Sequence, residues 1–103
     1  MEHSIEESEQ KRRELVFPKL EKGFTRKRTG RSGYLYCKNA GRMLELYTEM
    51  SGVPEYHFLI WEEGFENWVY PNRESLWVEE KKQISKELVY WLRKQGHKTN
   101  FKG

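Results

Sequence analysis

A single cysteine, Cys37, excludes an internal disulfide in this 103-residue chain and fits a reducing compartment. Set among the strand-forming residues of "GYLYCKN", it reads as a small buried hydrophobe and not as a reactive thiol. No apolar run approaches the roughly 18 to 20 residues that span a bilayer, and the opening "MEHSIEESEQKRREL" is too polar and acidic for a signal peptide. A soluble, cytoplasmic protein without membrane contact is the expectation.

Patterns that carry chemistry are scarce as well. His3, His57 and His97 stand singly, and with no second cysteine the chain offers no ligand spacing for a metal ion. Cys37 with His57 is the one nucleophile and base pair that strand adjacency allows, and nothing in its spacing supports it. "GRSG" lacks the lysine and following helix of a phosphate-binding loop. Glu62, Glu63 and Glu66 are neighbouring carboxylates, but acid–base work needs one of them held in a low-dielectric pocket, and a glutamate-rich loop is normally solvated. These absences point away from an enzyme and from any cofactor or metal.

What the chain does contain is charge and rings. Charged residues make up 34% and aromatic residues 15%, against a hydrophobic fraction of 36%. Disordered chains carry far fewer rings, so the sequence should fold around an aromatic-rich core, and its length supports one core only. The net charge of +3 conceals a pattern along the chain. Nine basic residues stand against six acidic ones up to Ser32, concentrated in "KRR" at 11–13 and "FTRKRTGR" at 24–31. From Gly33 to Glu80, three basic residues face nine glutamates, and from Lys81 onward seven face only Glu87. A negative middle thus lies between positive ends.

Residues 1–14 read as a flexible, frayed tail or a short solvated helix, and 15–103 as a single α+β domain. "LVFPKL" reads as a short edge segment because Pro18 cannot donate into a central ladder. In "GFTRKRTGRSGYLYCK", Gly30 and Gly33 bracket a turn between two strands. "YLYCKNAGRMLELYTEM" is the clearest hairpin, with Leu44, Leu46, Thr48 and Met50 on one face and Glu45, Tyr47 and Glu49 on the other. "EYHFLIW" is apolar enough for a central strand, and "EEGFENW" leaves it through Gly64. Ile84, Leu88, Trp91 and Leu92 recur at helical spacing, with Glu79 and Glu80 early, Arg93 and Lys94 late and Gly96 as the stop. "HKTNF" supplies one more short strand. The expected architecture is an antiparallel β-meander of three to five strands covered on one face by a carboxy-terminal helix.

The order of "GYLYCKNAGRMLELYTEM", "YHFLIWEEGFENWVYP", "EEKKQISKELVYWLRKQG" and "HKTNF", from about Gly23 to Phe101, resembles the immunity protein 74 family of bacterial polymorphic toxin systems. The resemblance implies a cytosolic antidote, a monomer or weak dimer, that binds the carboxy-terminal domain of a cognate toxin. Under it, "FLIWEEGFENWVYPN" becomes a recognition surface. Trp68 and Tyr70 would be rigid anchors, and Glu62, Glu63 and Glu66 would steer and pair with a basic partner. The plainer alternative is that Trp61, Phe65 and Trp68 simply close the core where strand becomes loop. An alternative function is nucleic-acid binding by Arg26, Lys27, Arg28 and Arg31, with Phe24, Tyr34 and Tyr36 as stacking platforms.

Overall fold

The structure, a computed structural model, describes residues 5–51 and 58–102. Helix α1 (Ile5–Val16) runs into a 3₁₀ turn (Phe17–Lys19), followed by β1 (Gly23–Thr29), β2 (Ser32–Asn39) and β3 (Arg42–Met50). Then come β4 (Phe58–Trp61), a second 3₁₀ turn (Glu62–Phe65), β5 (Asn67–Trp68), β6 (Glu74–Ser75), α2 (Val78–Lys94) and β7 (Thr99–Lys102). The fold is α+β. Its main sheet has the order β1-β2-β3-β4-β7, and β5 and β6 form a separate ribbon.

Strands β1 to β4 are the expected antiparallel meander. The last strand departs from it: β7 pairs with β4 in parallel, so the sheet is mixed. A parallel neighbour requires a long crossover, and the chain that includes α2 supplies it. Residues 52–57, which include Glu55, Tyr56 and His57 at the beginning of the run read as a central strand, lie outside the described residues. Its end, β4, is indeed interior.

Register follows from the two hairpin turns. Asn39 pairs with Arg42 across Ala40 and Gly41, both at positive φ (52° and 78°), the backbone of a type I′ turn. That turn sets Leu35 opposite Leu46 and Cys37 opposite Leu44, while Tyr34 meets Tyr47 and Tyr36 meets Glu45 on the reverse face. One residue of slip would exchange these two sets.

Helix α2 packs Ile84, Leu88 and Leu92 against Leu35, Leu44, Leu46 and Ile60, with Phe65 and Trp68 closing the same core. Each such side chain contributes about 1.5–3 kcal/mol on burial, enough to fix a helix that propensity alone would leave marginal. The helix start has no side-chain cap from Trp77; instead the Trp77 N–H donates to Glu80 Oε1 at 3.0 Å. At the other end Gly96, at φ 79°, donates to the Arg93 carbonyl and His97 to the Leu92 carbonyl, which is a Schellman closure.

The reverse face is also covered, contrary to the one-sided sheet expected from the strand pattern. Leu20, Tyr36 and Met43 form a second cluster joined by Val16, Phe17, Tyr34, Val69 and Tyr70. Residues 15–20 are not an edge strand. Leu15 and Val16 end α1, and Pro18 sits in the first turn of the 3₁₀ segment, where a missing N–H costs nothing. The amino-terminal segment is helical from Ile5 and docks through Arg12 and Arg13, both bonded to Glu45. Those partners lie 33 and 32 residues away, so nothing local in the sequence announces them.

Candidate functional site: a polar cleft beside the second 3₁₀ turn

Beyond Trp61 the chain turns sharply over β3. Gly64 makes this possible: a Cβ there would sit 2.6 Å from Leu46 Cδ2 and 2.7 Å from the Glu45 carbonyl oxygen. Phe65 is buried in the α2-side core beside Phe101, and with it anchored, Glu62, Glu63 and Glu66 are left exposed. Sequence alone placed the three glutamates together; the buried Phe65 explains how they are presented.

Glu63 and Glu66 line a cleft of about 550 Å³. Glu9 and Arg13 of α1 line it as well, with Tyr34, Glu45 and Tyr47 from the sheet and Arg73 beyond β5, so four carboxylates share the cleft with two arginines. Glu45 is held by three short bonds: Arg12 Nη2 donates at 2.7 Å, and Arg13 donates from Nε at 3.1 Å and from Nη2 at 2.9 Å. Burial, together with the Glu45 charge, pushes the Tyr36 hydroxyl well above its usual range, so Tyr36 stays neutral. The Tyr47 hydroxyl donates to Glu49 Oε2 at 2.9 Å, and that bond raises its pKa as well.

An aromatic row crosses the sheet here. Successive ring centroids lie 6.1 Å apart for Tyr36 and Tyr34, 5.9 Å for Tyr34 and Tyr47, and 5.4 Å for Tyr47 and Trp61. The Arg12 guanidinium lies 4.6 Å from the Tyr34 ring centroid. Sequence reasoning missed this row, because it depends on which residues of β2, β3 and β4 face each other. The available signals were the period-two spacing of Tyr34 and Tyr36 in one run and the placement of Tyr47 on the Glu45 and Glu49 face of the next.

Trp68 is not a surface anchor. It is 0% exposed, turned into the α2-side core by the short β5 strand, and covered by the Arg42 guanidinium 4.3 Å from its ring. Its Nε1 is buried without a well-formed hydrogen bond, although it lies near enough to Glu80 to help hold that carboxylate ionised. Arg42 itself reaches Glu80 at 3.0 Å and Glu74 at 3.7 Å, joining the hairpin to the start of α2. Tyr70 is half-buried, its ring stacked 4.4 Å from Phe17, so most of its surface is committed to the second cluster.

The four basic residues of the alternative reading are brought onto one hairpin, with Arg26, Lys27 and Arg28 in β1 and Arg31 in the turn that follows. Their supposed stacking partners are placed elsewhere. Phe24 packs on Trp91 at 5.6 Å, while Tyr34 and Tyr36 belong to the cluster beneath α1.

Among the described residues, no group of three or more His, Cys, Asp or Glu is placed to hold a metal ion. Cys37 is 5% exposed, and burial pushes its thiol up to about 12, which removes the thiolate at neutral pH. His57, its only sequence-level partner, lies outside the described residues. No described helix is long and apolar enough to cross a membrane. The chain matches no family model, no curated protein and no solved structure.

Proposed function

We propose that this protein is an immunity protein, a cytoplasmic antidote that neutralises a cognate bacterial toxin domain by stoichiometric binding without chemistry of its own. The observation that carries the reading is the display of Glu62, Glu63 and Glu66 on a turn anchored by the buried Phe65, two of them lining a cleft shared with Tyr34 and Tyr47. Such a surface suits a basic partner. Exposed carboxylates steer a cationic face during encounter, and a cleft of this size admits a lysine or arginine side chain that pairs with Glu63 or Glu66 beside the Tyr47 ring. Trp61, half-buried at the end of the aromatic row, adds apolar area next to the glutamates. The resemblance in element order to immunity protein 74 proteins supports the same reading.

The test is growth of bacteria expressing the carboxy-terminal domain of the protein encoded immediately upstream, with and without this chain, followed by copurification. Rescue with a stable complex is expected, and Glu63→Lys with Glu66→Lys should weaken that complex at least tenfold. A folded double variant that rescues and binds as well as the parent would remove the cleft from the reading. The hairpin arginines favour nucleic acid as the second reading. Retention of the protein on nucleic acid that falls steeply with salt, combined with no rescue, would establish it.

A further inference from the structure

The two edges of the main sheet are guarded differently. Edge strand β1 carries Arg26, Lys27 and Arg28 in succession, the charged pattern that discourages strand addition. Edge strand β7 reads Thr99, Asn100, Phe101 and Lys102, with no charge in its first three residues. Among the described residues nothing pairs with its outer side. Alongside it, on the α2 face of the sheet, runs a groove of about 650 Å³ between the end of the helix and the strand. Val89 and Phe101 give it an apolar lining, and Arg93 and Lys98, both exposed, are cationic.

We infer that β7 and this groove form a docking surface for an extended acidic segment of a partner protein, which adds to the sheet as a sixth strand. Main-chain hydrogen bonds to the free edge supply the affinity that strand addition always has, and alternate side chains supply selectivity. Thr99 and Phe101 both line the groove, so every second residue of an added strand points into it. An apolar residue at those positions meets Val89 and Phe101, and carboxylates at the rim meet Arg93 and Lys98. The sign follows from the lining: Arg93 and Lys98 are cationic, and no Asp or Glu among the described residues lines the groove. A second copy is disfavoured for the same reason, since edge-to-edge pairing of β7 would set Arg93 and Lys98 of one molecule against those of the other. The acidic cleft lies on the α1 face and this groove on the α2 face, so either can be occupied without the other.

The test uses the full chain and an eight-residue peptide of alternating glutamate and valine, labelled and followed by fluorescence anisotropy. Binding should be saturable, at least tenfold weaker to Arg93→Glu/Lys98→Glu, and at least tenfold weaker for peptides N-methylated at alternate residues in either register. It should also slow amide exchange in β7. The methylated peptides test strand pairing on the unaltered protein, so the proposal does not depend on how the variant folds. Four results would overturn it: no binding of the acidic peptide, equal binding of a lysine–valine peptide, indifference to N-methylation, or concentration-dependent self-association that competes with the peptide. Displacement by a single-stranded oligonucleotide with no change in β7 exchange would overturn it too, in favour of charge-driven nucleic-acid binding.

Discussion

The two faces of the sheet are covered by helices held in opposite ways. Helix α2 buries Ile84, Leu88 and Leu92 in a dry core with Leu35, Leu44, Leu46 and Ile60. Among the described residues helix α1 brings only Val16 to the second cluster, and its Leu15 is 69% exposed. Its hold on the sheet is the pair of arginines on Glu45, whose side chain is 4% exposed. A helix docked by area is insensitive to salt and pH, whereas one docked by charge depends on every member of the network, because a lost partner leaves the others desolvated and unpaired. The polar cleft lies where the second kind of packing occurs. Apolar side chains would have sealed that space, and the ionic clamp leaves room beside it.

The largest expected effect tests the dry face. Leu88→Ala should cost about 3 kcal/mol of global stability through the lost transfer energy and the cavity left behind, read from the denaturant midpoint. The same substitution should raise the rate at which Cys37 reacts with a thiol reagent at pH 8, where the parent protein is nearly inert because its buried thiol is pushed up to about 12. If Cys37 reacts freely in the folded parent, the α2-side core is looser than its packing implies.

Next in size is the charged face. Glu45→Ala should cost about 2 kcal/mol. That is below the full value for a broken buried pair, because Arg12 is 34% exposed and α1 can release its arginines to water. Amide exchange in α1 should accelerate strongly while α2 exchange follows only the global change. Equal acceleration in both helices would break the contrast between the faces.

A smaller effect serves as a control. Ala40 occupies a left-handed position that costs an L-residue about 1 kcal/mol, and Ala40→Asn restores the residue pair that type I′ turns prefer. A gain of about 0.5–1 kcal/mol in thermal or chemical unfolding is expected, with the ratio of α1 to α2 exchange unchanged.

The smallest concerns pH at the start of α2. The Trp77 N–H and then Arg42 hold Glu80 below its ordinary value of 4.5. A depressed folded-state pKa means stability that is present above the unfolded value, near 4.5, and lost as pH falls through the lower folded value. Glu80→Gln should therefore flatten the acid limb of the stability profile slightly, because the carboxylate is only partly buried and the amide keeps an acceptor for the Trp77 N–H. A pronounced change would mean that Glu80 is far more central to α2 docking than its exposure indicates.

How much was legible in the sequence depends on the range of the interaction. The α2 helix, its Gly96 stop and the "KNAGR" turn are written in neighbouring residues, and the face alternation of β3 follows from a period of two. Glu63 and Glu66 were legible as a pair, being three residues apart on one turn. The fate of Trp68 was not. Between Gly64 and Pro71 its local marks fitted a surface loop as well as a core-closing turn, and only Val69 donating to the Met43 carbonyl and Met43 to the Tyr70 carbonyl shows that this stretch is laid against β3. The β7 pairing was equally hidden, since "TNFK" marks a strand but not its neighbour.

By itself the sequence determined the charge-rich and ring-rich composition, the α+β class, one amphipathic helix, one hairpin and a run of glutamates after a central strand. Each of these follows from side chains within a few residues of one another. Only the tertiary structure decided which face of the sheet stays polar, because that choice rests on Arg12 and Arg13 meeting Glu45 across more than thirty residues. The same long-range contact places α1 in the cleft that Glu63 and Glu66 line. Charge attraction has no sequence period; it acts wherever the fold brings the partners together, and its consequences appear only once the sheet is built.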